Sequence, residues 1–137
     1  MSNFSQVAVD TIIKQDKYSS WMGIEVLEIK EGYSKIKMKV RNEMLNGFGI
    51  AHGGVTFSFA DSAFAFACNY SGKISVALEV SISFTKPCLE GDELIAEAKK
   101  ISETNKTGLY VIEIKNQHNH LVAMVKGTCY KTEKNLM

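Results

Sequence analysis

The chain has 137 residues, 45% hydrophobic and 23% charged, which fits one folded domain over residues 1–137 and argues against intrinsic disorder. Sixteen Lys and Arg against fifteen Asp and Glu leave a formal net charge of +1. A dedicated nucleic-acid binder usually carries a strongly basic face, so no nucleic acid is expected as a partner.

Asp10, Lys14, Asp16 and Lys17 punctuate the first seventeen residues, leaving no compact apolar block for a secretory signal. Phe4, Val7, Ala8, Thr11 and Ile12 recur at three- and four-residue spacing. They predict a short amphipathic helix over Phe4–Asp16, capped by Ser2 or Asn3. Two strand-like runs follow, Gly23–Lys30 and Tyr33–Val40, with Glu31-Gly32 as the turn. In the second, Ile36, Met38 and Val40 alternate with Lys35, Lys37 and Lys39, the pattern of a strand with one wet face.

Asn42–Gly54 is a loop rich in Asn and Gly. After it, Val55–Asn69 is apolar on nearly every helical face, with four alanines and only small polar residues besides Asp61. A helix apolar all round is a buried helix. Its longest unbroken apolar run, Ala63–Cys68, is far below the ~20 residues of a membrane span, so no membrane association is expected. Four strands complete the chain: Ser75–Lys86, Glu93–Ile101, Leu109–Lys115 and Leu121–Tyr130. The turn-rich links at Glu103–Gly108 and Asn116–His120 are short enough to force antiparallel pairing. The predicted class is α+β, a curved antiparallel sheet of five to six strands wrapped around one long central helix, plus a short N-terminal helix.

Cys68, Cys88 and Cys129 are odd in number, widely spaced and without a Cys-x-x-Cys. They read as reduced thiols of a cytoplasmic protein. Cys68 and Cys129 lie in apolar patterns that raise a thiol pKa, which argues against a catalytic cysteine.

The chemistry concentrates between Asn46 and Asp61. An ionised carboxylate inside an apolar helix is costly without partners, and burial raises its pKa toward that of a useful base. Asp61 has Phe57, Ser58, Phe64 and Ala65 as helical neighbours. A structural aspartate bonded to a nearby hydroxyl or backbone group is the competing reading. At the helix entrance, the first backbone N–H groups are unpaired and carry positive partial charge. Gly53 and Gly54 there put no side chain in a ligand's way. A tight loop needing unusual backbone angles is the plainer reading of His52-Gly53-Gly54.

Gly53 and Asp61 are eight residues apart, roughly 12 Å along a helix. One helix cannot present both to one carbonyl, because a base and an oxyanion donor must each lie about 3 Å from the reacting groups. Two antiparallel helices can. If both features are catalytic, a two-fold dimer with shared sites follows.

His52-Gly53-Gly54 opening an Ala- and Phe-rich helix, Ala60-Asp61 within it, Asn46 before it and Ser83-Phe84-Thr85-Lys86-Pro87 after the next strand together resemble the hotdog-fold acyl-CoA thioesterases, closest to their phenylacetate-pathway subgroup. The resemblance covers nearly the whole chain. It implies a hotdog fold and hydrolysis of acyl-CoA to free acid and coenzyme A, with no cofactor beyond the coenzyme A of the substrate. By the same resemblance, Asp61 acts as base or nucleophile, the Gly53 N–H polarises the thioester carbonyl, and Asn46 and His52 hold the loop. Asp61 and the glycine loop then come from different subunits, and dimers often pair into tetramers.

Cationic groups should flank the mouth of a coenzyme A pocket. Among Lys86, Lys99, Lys100 and Lys106, Lys86 is the first choice; Gly54, Phe57 and Phe64 are candidates to line the substrate site. His118-Asn119-His120 lacks a third ligand nearby, so no metal is expected. A non-catalytic acyl-CoA-binding module is the alternative function, and an acyl-thioester dehydratase or hydratase a more distant one.

Overall fold

A computed structural model describes residues 3–136. Helix α1 spans Asn3–Gln15 and a second helix, α2, spans Lys17–Met22. Asn3 is the first helical residue rather than its cap, and Ser2, the other expected cap, lies outside the described residues. The break falls at Asp16, which the periodicity assigned to the end of α1. Its carboxylate accepts hydrogen bonds from Ser19 N (2.9 Å) and Ser19 Oγ (2.6 Å), a cap strong enough to start α2. The Ser19 hydroxyl is also 2.7 Å from that of Ser62, which ties this elbow to the long helix α3, Gly53–Cys68.

The strands are β1 (Glu25–Lys30), β2 (Tyr33–Lys39), β3 (Lys73–Phe84), β4 (Glu93–Glu103), β5 (Thr107–Lys115) and β6 (Leu121–Asn135). They form one antiparallel sheet in the order β1-β2-β4-β5-β6-β3. The expected six strands are present, two before α3 and four after it. The two short turns pair β4 with β5 and β5 with β6, as their length requires. The longer Thr85–Asp92 link does not pair its strands: β3 lies beyond β6, three places from β4. Eight extended residues reach roughly 26 Å, enough to cross the end of the curved sheet.

The alternation predicted for β2 holds: Ser34, Ile36 and Met38 point inward and Lys35, Lys37 and Lys39 outward. Leu94, Ala96 and Ala98 of β4, Tyr110, Ile112 and Ile114 of β5, and Val125 and Cys129 of β6 extend the same face. Helix α3 touches all six strands and buries Phe59, Phe64 and Phe66 in the concavity. Each such ring contributes about 1.5–3 kcal/mol. At the closest approach, a Cβ on Gly127 would sit 2.7 Å from the Phe64 ring, so only glycine lets β6 meet the helix there.

Both outer strands keep a free edge. Twelve-residue β3 leaves Val76, Leu78 and Phe84 exposed along its length. Among the described residues, no helix is long and apolar enough to cross a membrane.

Candidate active site at the entrance of the central helix

The segment before α3 is folded by its own polar groups. Asn46 Oδ1 accepts from Phe48 N (2.9 Å) and Ile50 N (3.3 Å), while Asn46 N donates to Ile50 O (2.7 Å). Ala51 N then donates to Cys88 O and His52 N to Met44 O, each at 2.8 Å. This strapping delivers His52 as the cap of α3. Its Nδ1 accepts from Gly54 N at 3.0 Å, a cap of the ordinary kind with an imidazole as acceptor. A Cβ on Gly54 would lie 3.1 Å from that Nδ1, so the second glycine makes room for the ring. His52 O takes both Val55 N (2.9 Å) and Thr56 N (3.3 Å). Of the entrance amides, the Gly53 N–H alone finds no acceptor among the described residues.

That amide borders a cavity of about 290 Å³ walled by Asn46, Gly53, Thr56, Phe84, Lys86 and Cys88. Asn46 gives its side-chain oxygen to the loop, and its Nδ2 has no partner within the described residues. The cavity thus gathers an unpaired N–H, the positive end of a helix, an amide group and a lysine, a combination suited to negative charge on oxygen. Three expected residues, Asn46, Gly53 and Lys86, are brought together here, and His52 precedes Gly53 as the helix cap.

Asp61 is elsewhere. It lies two turns along α3 in a separate hollow of about 140 Å³, with Phe57, Ser58, Asp16, Tyr18 and Ser19 around it. The expected buried carboxylate is corrected: Asp61 is exposed in the single chain, and it accepts no hydrogen bond from the described residues. A structural role through a neighbouring hydroxyl is therefore not what this geometry displays. The crowding walls still desolvate the carboxyl, and the Asp16 charge adds to this, so its pKa rises above the ordinary 3.8. Gly54, Phe57, Ser58, Asp61 and Ala65 form one stripe that the chain leaves at least partly open. Helix α3 is apolar all round but not covered all round.

Phe64 points the other way. It is 2% exposed and packs on Tyr110 with ring centroids 5.5 Å apart. It belongs to the core, not to the hollow of Asp61. Thr56, Phe84 and Cys88 also wall the Gly53 cavity, and the sequence reading gave none of them a place in the site. Thr56 follows Gly53 by one helical turn, and that spacing was the available signal. Of the other lysines, Lys99 and Lys100 pair with Glu97 and Glu103, and Lys106 sits in the β4–β5 turn at the opposite end of the sheet. No group of three or more potential metal ligands occurs among the described residues.

All three thiols are free and buried. The neighbouring Cys129 thiol and then burial push Cys68 up, as its apolar pattern implied, whereas Cys68 pulls Cys129 down, the reverse of what its pattern implied.

With this geometry in place, known proteins are informative. The family model described as Thioesterase superfamily matches residues 48–123. A relative from Archaeoglobus fulgidus is 46% identical over 125 residues, covering 91% of this chain and 81% of its own. The Escherichia coli acyl-coenzyme A thioesterase PaaI is 37% identical over 131 residues, 96% of this chain and 94% of that one. The solved structure of E. coli PaaI superimposes with a TM-score of 0.95 at 35% identity, covering 98% of this chain and 97% of the other. A Streptococcus mutans protein bound to acetyl-CoA matches at TM-score 0.78 and 25% identity, over 82% of this chain and 90% of that one.

Proposed function

Since this chain belongs to the thioesterase superfamily and is a thioesterase of hotdog fold, we propose that it hydrolyses acyl-CoA thioesters at sites shared between two copies, residues 1–137 acting as one domain. The carrying observation is the divided equipment of α3: an unpaired Gly53 N–H at a cavity, and a carboxylate two turns away in a different, open hollow.

The thioester carbonyl accepts from the Gly53 N–H, where the helix dipole favours the oxyanion. Asp61 of a second copy supplies or activates the nucleophile. When Asp61 takes a proton from an attacking water, the tetrahedral intermediate collapses, the carbon–sulfur bond breaks and the departing thiolate of coenzyme A can take up that proton, leaving the free acid. When Asp61 itself attacks, the same collapse expels the thiolate and leaves an acyl-aspartyl anhydride, which water then cleaves to the free acid. Asn46 and His52 keep the loop in shape. Phe57, beside Asp61, faces the acyl group, Gly54 leaves space at the mouth, and Lys86 meets the phosphates. No cofactor enters; coenzyme A is part of the substrate. The pairing is supported by the open stripe of α3 and by the long apolar edge β3, a ready template for a second copy. A further pairing of dimers and a cytoplasmic location complete the proposal.

The test is subunit mixing. Asp61→Asn and Gly53→Pro chains are refolded together and thiol release from acyl-CoA is followed with a chromogenic dye. A mixed dimer has one doubly damaged site and one intact site, so activity returns to roughly a quarter of wild type. No recovery would refute shared sites. Tight acyl-CoA binding without thiol release from the wild type would instead favour a binding module.

A further inference from the structure

Lys86 is exposed, yet its side chain is held. Its Nζ lies 2.9 Å from His120 Nδ1, although the two residues are far apart in sequence. An ammonium can only donate, so Nδ1 accepts and the ring's proton sits on Nε2. His120 is itself built in. Asn116 Oδ1 accepts from His118 N (3.0 Å) and His120 N (3.1 Å), and Asn116 N donates to His120 O (3.0 Å). The tight turn is completed by Asn119 at φ +63°. On the other side, Thr85 N and Lys86 N both donate to Val122 O (3.0 and 3.3 Å), and Thr85 Oγ1 donates to Leu121 O (2.7 Å). Both members of the pair are thus clamped to the start of β6.

No carboxylate within 4.0 Å neutralises Lys86 among the described residues. Its charge stands unspent on the wall of the Gly53 cavity. A lysine stem carries much rotamer entropy, and fixing it before the ligand arrives lowers the cost of binding.

We propose that His120 is a positioning residue that holds the Lys86 ammonium over the mouth of the Gly53 cavity, where it receives the phosphates of the substrate's coenzyme A portion. The proposal rests on the acyl-CoA reading of this site. It gives a task to the His118-Asn119-His120 segment, and to that segment's last histidine in particular.

The experiment compares an acyl-CoA with the same acyl group on pantetheine, which lacks the nucleotide phosphates. For Lys86→Ala the preference for the CoA substrate falls about 10-fold, and for His120→Ala about threefold. Both losses appear in KM rather than kcat. The double variant is no worse than Lys86→Ala, because the two act as one unit. His120→Asn, which places an amide oxygen near the position of Nδ1, restores the preference. The proposal is overturned if His120→Ala weakens both substrates alike, if the two losses multiply, or if His120→Asn fails to restore. Calorimetric binding of coenzyme A and pantetheine to the same variants reads the identical pattern without catalysis. A wild type that releases no thiol therefore sinks the hydrolase reading alone.

Discussion

The two ends of α3 are built on opposite principles. At its exit, Asn69 is buried and fully engaged. Its Nδ2 donates to Ala65 O (2.9 Å) and Ser75 O (3.3 Å), and its Oδ1 accepts from Ser75 N (2.7 Å). Beyond it, Tyr70, Lys100 and Lys131 converge on Glu103. At the entrance, His52 satisfies every nearby amide except that of Gly53. Helix ends ordinarily satisfy their orphan groups. A single donor left over beside a cavity supports the proposed role of Gly53, and the other end shows how the same helix closes with its cap fully engaged.

The strongest way to break the contrast lies between the two ends. Asp61→Asn is expected to reduce thiol release about 100- to 10,000-fold while the fold survives, since this carboxylate has no hydrogen-bond or ion-pair partner among the described residues. Its pKa is raised by desolvation and then by Asp16. Turnover therefore falls as pH drops through a value above the ordinary 3.8, and Asp16→Asn shifts that limb to lower pH. The stability sign is the reverse of a paired acid's. The contribution is present below 3.8 and is lost as pH rises through the folded value. Asp61→Asn should consequently not lower the melting temperature at neutral pH.

Gly53→Pro removes the unpaired donor itself. Proline suits the first helical position, and His52 at ψ 134° has the extended backbone that a residue before proline requires. Activity should fall about 100- to 1000-fold with the helix retained by circular dichroism. A fully active Gly53→Pro enzyme would remove the entrance from the mechanism. At the exit the effect is reversed in kind. Asn69→Ala strands the Ser75 amide and carbonyl and should cost about 2–3 kcal/mol in chemical denaturation, with turnover per folded molecule preserved. His52→Ala removes the cap, at about 1 kcal/mol. Glu103→Gln should cost less than about 1 kcal/mol, because the cluster is part-exposed. Lys131 foremost, then Tyr70, holds the Glu103 carboxyl down to about 2. That small stabilisation is present above the ordinary 4.5 and disappears as pH falls toward 2.

Much of this was legible before any coordinates. Alternation at Ile36 and Met38, the short turns of β4–β6 and the glycine-marked start of α3 are local signals, and each is realised. The second helix was not legible, because Asp16 ends one periodic run and caps the next within a single residue. Nor was the place of Phe64. Asp61 and Phe64 are three residues apart, and helical spacing puts them within reach of one face. The sheet nevertheless takes Phe64 into the core against Tyr110 and Gly127, leaving Asp61 outside.

Residue order was enough to establish the class of fold, the capped glycine entrance, and the roughly 12 Å that keeps Gly53 and Asp61 of one helix from acting on one carbonyl. These follow from period, cap chemistry and rise per residue, all of which act over a few neighbours. Tertiary structure decided which stripe of an all-apolar helix stays open, which of several lysines stands beside the cavity, and which strand becomes the edge. Those outcomes depend on elements distant in sequence meeting or failing to meet, and on what each contact leaves uncovered.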